Sequence, residues 1–225
     1  MNMKKIIIFG AGRGGRDVLQ LIEQINMQSL TWSVLGFIDK NPLLIGSMVD
    51  GIRVYNSLSG ISEDFEGTYA ITGIQSPDLR KKIIEVEIEN NGLKLARLIH
   101  PSINVSEDCV IAEGCVIFPG VFIAKNVSLG KSVLVNYNSL LGIDLVIGDF
   151  SFVGPSVTIT ASCSIGNSST IGAGCLFVPG VKVGNNCMIG LGTKLIDSVE
   201  DSQNVFDFPR KITRDMDGRE KKVSW

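Results

Sequence analysis

The chain has 225 residues and a formal net charge of −2, from 21 Lys and Arg against 23 Asp and Glu. That balance excludes a basic surface built to hold nucleic acid or an anionic membrane. No stretch approaches the roughly 20 apolar residues of a membrane span, and the apolar run near the N-terminus is too short for a signal sequence, so a soluble, cytoplasmic protein of two domains is expected.

In chain order, Lys5–Phe9 is a short apolar run suited to a buried parallel strand. The glycine turn Gly10-Ala11-Gly12-Arg13-Gly14-Gly15 follows, then a helical pattern with Val18, Leu19, Ile22 and Ile25 on one face. Strands are expected at Trp32–Ile38, ending at Asp39, at Ile52–Tyr55 and at Tyr69–Thr72. A helix is expected over Pro77–Glu89, and a last strand over Lys94–Ile99 that leads into the second half. This alternation predicts a small Rossmann-like α/β domain over residues 1–98.

The glycines fit GxGxxG at Gly10, Gly12 and Gly15, with Asp39 closing the next strand. Backbone amides at a helix N-terminus meet phosphate in such turns, and the carboxylate meets ribose hydroxyls. A nucleotide or nucleotide-linked ligand is one reading and an unliganded structural turn is the other. A dinucleotide is disfavoured, because the domain offers room for only one mononucleotide-binding half.

From Ile99 to Leu195 every sixth residue is large and apolar, seventeen in succession, and the next residue is usually Gly, Ala or Asn. This hexapeptide period predicts a parallel β-helix over residues 99–200, followed by a C-terminal cap or tail over 201–225 with Phe206, Phe208 and Pro209 closing the open end. Four residues after each anchor lies a second inward site, and all five cysteines fall on it: Cys109, Cys115, Cys163, Cys175 and Cys187. Small buried hydrophobes suit that site, so the cysteines are expected to be buried and reduced. Their odd number, the lack of CxxC and the single His argue against a disulfide framework or a metal site.

Three hexads make one coil, so residues 18 apart stack. Corner rows then run through Ile143, Ala161 and Pro179, and through Pro155, Ala173 and Leu191. Both are small and apolar, fit to line a groove for a long thin ligand.

The order of the GxGxxG-like domain, the junction Leu98-Ile99-His100-Pro101-Ser102 and the hexads resembles bacterial sugar acyltransferases of the sialic acid O-acetyltransferase and bacillosamine N-acetyltransferase type, over about residues 3 to 212. The resemblance implies a homotrimer of left-handed β-helices with acetyl-CoA in clefts between subunits. Cofactor contacts would then fall on Phe152, Pro155, Ala161, Ala173 and Leu191. It also implies a sugar nucleotide in the N-terminal domain, touching Gly12, Arg13, Gly14 and Asp39, and a role in surface-polysaccharide biosynthesis.

The chain departs from the family at the catalytic stretch Leu140-Leu141-Gly142-Ile143-Asp144: Ile143 stands where relatives carry the catalytic His. Phe152 holds the place of a second His. Asp144, Asn136 and Asn138 are the polar residues left as catalytic candidates, and His100 is expected to serve the domain junction. An amine that arrives deprotonated can attack a thioester through positioning alone, whereas a hydroxyl needs a base. The expected function is therefore an acetyl-CoA-dependent N-acyltransferase on an amino sugar nucleotide. The alternatives are a catalytically inactive binding or scaffold member and, further off, an O-acetyltransferase.

Overall fold

The computed structural model describes residues 3–61, 65–207, 213–214 and 220–221. Strand β1 (Lys4–Phe9) is followed by α1 (Arg13–Gln28), β2 (Trp32–Ile38), the hairpin of β3 (Met48–Val49) and β4 (Ile52–Tyr55), β5 (Tyr69–Thr72), α2 (Pro77–Ile83) and β6 (Lys94–Leu95). The sheet order is β3-β4-β2-β1-β5-β6, parallel except for the β3–β4 hairpin. β1 is apolar throughout its buried part because both of its faces are covered. Ile6 and Ile8 pack with Val18, Leu19 and Ile22 of α1, while Ile7 and Phe9 pack with Ile84 and Ile88 on the opposite side.

Two expectations need correction. The Pro77–Glu89 helix is α-helical only to Ile83; Ile84–Ile88 widens into a π-turn, which keeps Ile84 and Ile88 buried and leaves Val86 exposed. The Lys94–Ile99 strand is two strands: Lys94–Leu95 completes the N-terminal sheet, and β7 (Leu98–Ile99) already pairs with Val116–Ile117 of the second half. The period-2 pattern runs through the break, which is why the sequence reads as one element.

The second half is a parallel β-helix of three stacked sheets whose paired strands lie 18 residues apart, as in Leu134↔Phe152 and Leu140↔Thr158. Its anchors from Ile111 to Leu195 form one continuous core. Each buried apolar side chain contributes about 1.5–3 kcal/mol against exposure.

The second inward site does more than fill space. Ser139 Oγ donates to Gly154 O at 2.9 Å, Ser151 Oγ to Gly166 O at 2.7 Å and Cys115 Sγ to Gly130 O at 3.1 Å. Each satisfies a carbonyl at the next corner, so Ser, Thr and Cys serve there as donors as well as packing. Cys109 corrects the expectation of five buried thiols. It is only half-buried, because the opening coil has no strand at Val105 and no coil beneath it.

Every sixth residue from Gly114 to Gly192 has a left-handed backbone, with φ between 55° and 81°. Asn, Asp, Ser and Gly, which tolerate that region, fill all but one of these corners; the exception is Phe150 at φ 60°. An 18-residue ladder runs along one edge, with Asp149, Asn167 and Asn185 side chains each accepting the N–H of the residue one coil below.

After Leu195 the stacking interval shortens: Val183 bridges Val199, and Met188–Ile189 pairs with Asn204–Val205. The β-helix therefore continues past the expected boundary at residue 200. Phe206 lies over Gly190, whereas Phe208 and Pro209 fall outside the described residues.

One face is not left to solvent. Leu98, Val116, Leu134 and Phe152 point outward from their sheet and are 0 to 8% exposed, because they share a core with Val18, Leu19 and Ile22 of α1. The two other sheets show Phe122, Leu140 and Leu176, and Val110 and Val146, to the surface.

Candidate functional site

At the C-terminal ends of β1, β2 and β5 lies a cleft of about 860 Å³ lined by Gly10, Gly12, Arg13, Asp39, Gln75 and Lys82 among others. Open parallel sheets bind ligands at this end of their strands. The glycines that build it have different jobs. Gly10 turns the chain at φ 94°. A Cβ on Gly15 would run into the Gly10 carbonyl, and Cβ atoms on Gly14 or Gly73 would each enter the other's backbone. Gly12 alone of these meets nothing within 4 Å, at an ordinary φ of −76°. It is the N-cap of α1 and makes no side-chain cap bond, so the first-turn N–H groups and the positive end of the helix dipole are left for an anion.

Asp39 is already at work within the protein. Its Oδ2 accepts the Ala11 N–H at 2.7 Å and its Oδ1 the Asn41 N–H at 2.8 Å. The carboxylate ties the glycine turn to the end of β2, and each oxygen keeps a lone pair for a ligand hydroxyl. Arg13 lies in the wall. Sequence reasoning missed the rest of that wall. Lys82 adds a cation, and Lys40 pairs with Glu87 at 3.3 Å. Leu79 and Val86 present apolar side chains that are 48% and 52% exposed. Exposed apolar residues on a helix beside a glycine turn were the available signal. The wall thus combines donors suited to phosphates with exposed apolar surface.

A second, polar hollow of about 590 Å³ adjoins the cleft and shares Arg13 and Asp17 with it. Burial raises the Asp17 carboxyl above the usual carboxylate range. The same cause, followed by the Asp17 charge, raises the Tyr137 phenol on the β-helix.

The β-helix candidates do not converge within one chain. Asn136 is buried, with its Oδ1 accepting the Tyr137 N–H at 2.8 Å. Asn138 sits at a left-handed corner with φ 58°. Asp144 is the left-handed residue of the next corner, at φ 59°, and its Oδ1 accepts Asn126 Nδ2 at 2.8 Å. Strand Leu140–Leu141 separates the two corners. Ile143 is 45% exposed beside Asp144.

The groove rows divide in the same way. Pro155, Ala173 and the 75%-exposed Leu191 follow the Asn138 corner, while Ala161 and Pro179 follow the Asp144 corner. Phe152 belongs to neither row; it is 8% exposed in the interdomain core, out of reach of a groove on the surface. His100 forms a tight turn in which Nδ1 receives the Ser102 N–H at 3.2 Å and lies 2.7 Å from Ser102 Oγ. Among the described residues no group of three or more His, Cys, Asp or Glu is placed to hold a metal ion, and no helix is long and apolar enough to cross a membrane.

Residues 5–86 match the family model of the PglD N-terminal domain. No curated protein matches the chain. Among solved structures, a variant of perosamine N-acetyltransferase from Caulobacter crescentus, in complex with CoA and GDP-perosamine, is 24% identical. It aligns over 95% of this chain and 99% of its own, with a TM-score of 0.82. The acetyltransferase domain of PglB from Neisseria gonorrhoeae is 25% identical over 92% of this chain and 98% of its own, at 0.82. WeeI from Acinetobacter baumannii is 23% identical over 98% and 100%, also at 0.82. Residues 5–86 form a PglD-type N-terminal domain, and the chain as a whole, with its left-handed hexapeptide-repeat β-helix, has the fold of these three solved structures.

Proposed function

We propose that the protein is an acetyl-CoA-dependent N-acetyltransferase that acts on an amino sugar nucleotide in surface-polysaccharide biosynthesis, in the cytoplasm, without the family His. The observation that carries this reading is the cleft at Gly12, open to an anion at the α1 N-terminus and walled by Arg13 and Lys82. A protein of the same architecture holds CoA and GDP-perosamine together. By that parallel Gly12, Arg13, Gly14 and Asp39 hold the nucleotide part of the substrate, Gly14 through its backbone only.

Acetyl-CoA is assigned to the apolar corner rows. Pro155, Ala173 and Leu191 lie on one corner and Ala161 on the next, so a groove lined by both needs two copies side by side, which a homotrimer supplies. Phe152 is left out of this assignment. In the reaction the amine nitrogen attacks the thioester carbonyl, the C–S bond breaks, and the thiolate leaves with a proton from the new ammonium. With Ile143 in the His position, the rate rests on holding an already neutral amine in line with the carbonyl, with Asn138 and Asp144 as the exposed polar candidates on the two corners and Asn136 buried.

The test is thiol release from acetyl-CoA over a panel of amino and hydroxy sugar nucleotides. Turnover on an amine and none on hydroxyl acceptors is expected; robust turnover on a hydroxyl overturns the reading, since that requires a base. The second reading, a non-catalytic binding member, is favoured by Ile143 itself. Calorimetry separates the two, because only the enzyme must bind acetyl-CoA.

A further inference from the structure

Arg80 is 1% exposed and, among the described residues, makes no ion pair with a carboxylate. All five of its N–H donors go to main-chain carbonyls. Nη1 donates to Ile74 O at 2.7 Å and Gln75 O at 2.8 Å, both in the cleft wall. Nε donates to Ser132 O at 3.1 Å, and Nη2 to Ser151 O at 3.1 Å and to Phe150 O. These last three lie on the β-helix. Phe150 is the one bulky side chain in the row of left-handed corners, and Lys81 Nζ stands 5.9 Å from its ring centroid.

Burying a cation without an acid is costly, and an apolar residue of similar volume is often no worse for stability. Burial lowers the Arg80 guanidinium to about 10. The domain contact is meanwhile supplied with apolar surface by Phe118, Leu134 and Phe152. What a guanidinium adds is direction: a planar fork ties particular carbonyls of one domain to particular carbonyls of the other.

We infer that Arg80 is a positioning residue that locks the Ile74–Gln75 wall of the nucleotide cleft onto the β-helix turns at Ser132 and Phe150–Ser151, fixing where a bound sugar nucleotide meets the acyl-transfer groove. It touches no substrate and acts through the wall. The inference rests on the proposed function for the ligand's class, but not for the coupling itself.

The test compares full-length wild type, Arg80→Met and Arg80→Lys by hydrogen exchange, by calorimetry with UDP and GDP, and by kcat and KM in thiol release. In Arg80→Met, exchange at residues 73–76 is expected to rise about tenfold while the β-helix strands keep their protection. Binding of UDP or GDP weakens, and kcat falls about 10²-fold at unchanged KM for acetyl-CoA, as misplacement of a bound substrate would give. Arg80→Lys, which keeps the charge with three donors, falls between and serves if the Met variant does not fold. Exchange rising evenly across the N-terminal domain, or nucleotide affinity unchanged with the wall loosened, overturns the inference. Wild type that binds nucleotide but turns over no acceptor counts against the proposed function alone, and exchange and binding still decide Arg80.

Discussion

The glycine turn of the N-terminal domain and the corners of the β-helix draw on the same kinds of residue for opposite ends. In the turn, Gly14 and Gly15 are small because neighbouring backbone lies against them, and their packing leaves Gly12 facing empty space at the tip of α1. At the corners, Asn138 and Asp144 adopt left-handed backbone like every sixth residue around them. Their side chains look like chemistry, yet their positions are explained by the coil. A polar residue inside a repeat has to be weighed against the repeat's own demand for it, whereas the open space at Gly12 is set by no repeat.

The sharpest way to break that contrast is Gly15→Val. A Cβ there overlaps the Gly10 carbonyl, and neither segment can yield because Gly10 N–H is bonded to Ile38 O at 2.8 Å. A loss of about 4 kcal/mol is expected, seen as a lowered melting temperature of the N-terminal domain. Calorimetric scanning measures it. A single transition at the wild-type temperature contradicts the assignment of Gly15 to packing.

Gly12→Leu is the counterpart. The backbone φ of −76° suits any residue and a Cβ there meets no protein atom within 4 Å, so stability should stay within about 0.5 kcal/mol. Nucleotide binding should nevertheless weaken at least about 100-fold, because phosphate can no longer approach the α1 N-terminus. Titration with UDP and GDP checks this, and unchanged affinity in a folded variant removes Gly12 from the site.

How much of this was readable follows from whether one residue's role depends on neighbours in sequence or in space. The hexads and the strands at Trp32–Ile38, Ile52–Tyr55 and Tyr69–Thr72 depend on local period, and they stand where the pattern puts them. The candidate cleft was half readable. Gly12 and Arg13 announce themselves through a motif, but Lys82, Leu79 and Val86 reach the wall only because α2 and the π-turn after it are laid against it. Arg80 was invisible, since an Arg on a charged helix reads as a solvated one. Its burial comes from carbonyls 52 to 71 residues away. Phe152 was misleading for the same reason: family position suggested a cofactor contact, while α1 covers its face of the sheet.

The cysteines extend the comparison to pH. Burial pushes the Cys115 thiol up to about 11 and raises Cys175 as well. Both folded values lie above the unfolded ones, and at Cys115 the unfolded chain has released, between about pH 9 and 11, a proton that the folded chain still holds. Stability is therefore full below the unfolded value and falls as pH rises, by about 1 kcal/mol per unit for each such thiol at most. Urea melts at pH 8 and 10 measure it. In the same range a thiol reagent should label Cys109 first, the one cysteine that is not fully buried. Equal labelling of all five in the native state contradicts the core.

The smallest effect is expected at Asp144, and it decides whether the corner does chemistry. Asp144 is exposed, holds φ 59° and accepts one hydrogen bond from Asn126. Ala in that backbone region costs about 1 kcal/mol, whereas Gly pays no such strain, so Asp144→Gly should melt at or above the temperature of Asp144→Ala. If the carboxylate serves only the turn, both variants keep amine acetylation within about tenfold, because nothing that moved a proton was removed. If it is the base, both lose the 10²-fold to 10⁴-fold typical of general-base loss, roughly equally and regardless of their stability. Ile143→His then reads the neighbouring position. Beside Asp144 it rebuilds a His–carboxylate pair, and with positioning alone limiting, it should leave amine turnover nearly unchanged while any hydroxyl turnover it confers reports a base that wild type lacks. A large gain on the amine instead means that deprotonation was limiting all along, and that Ile143 has cost the protein its rate.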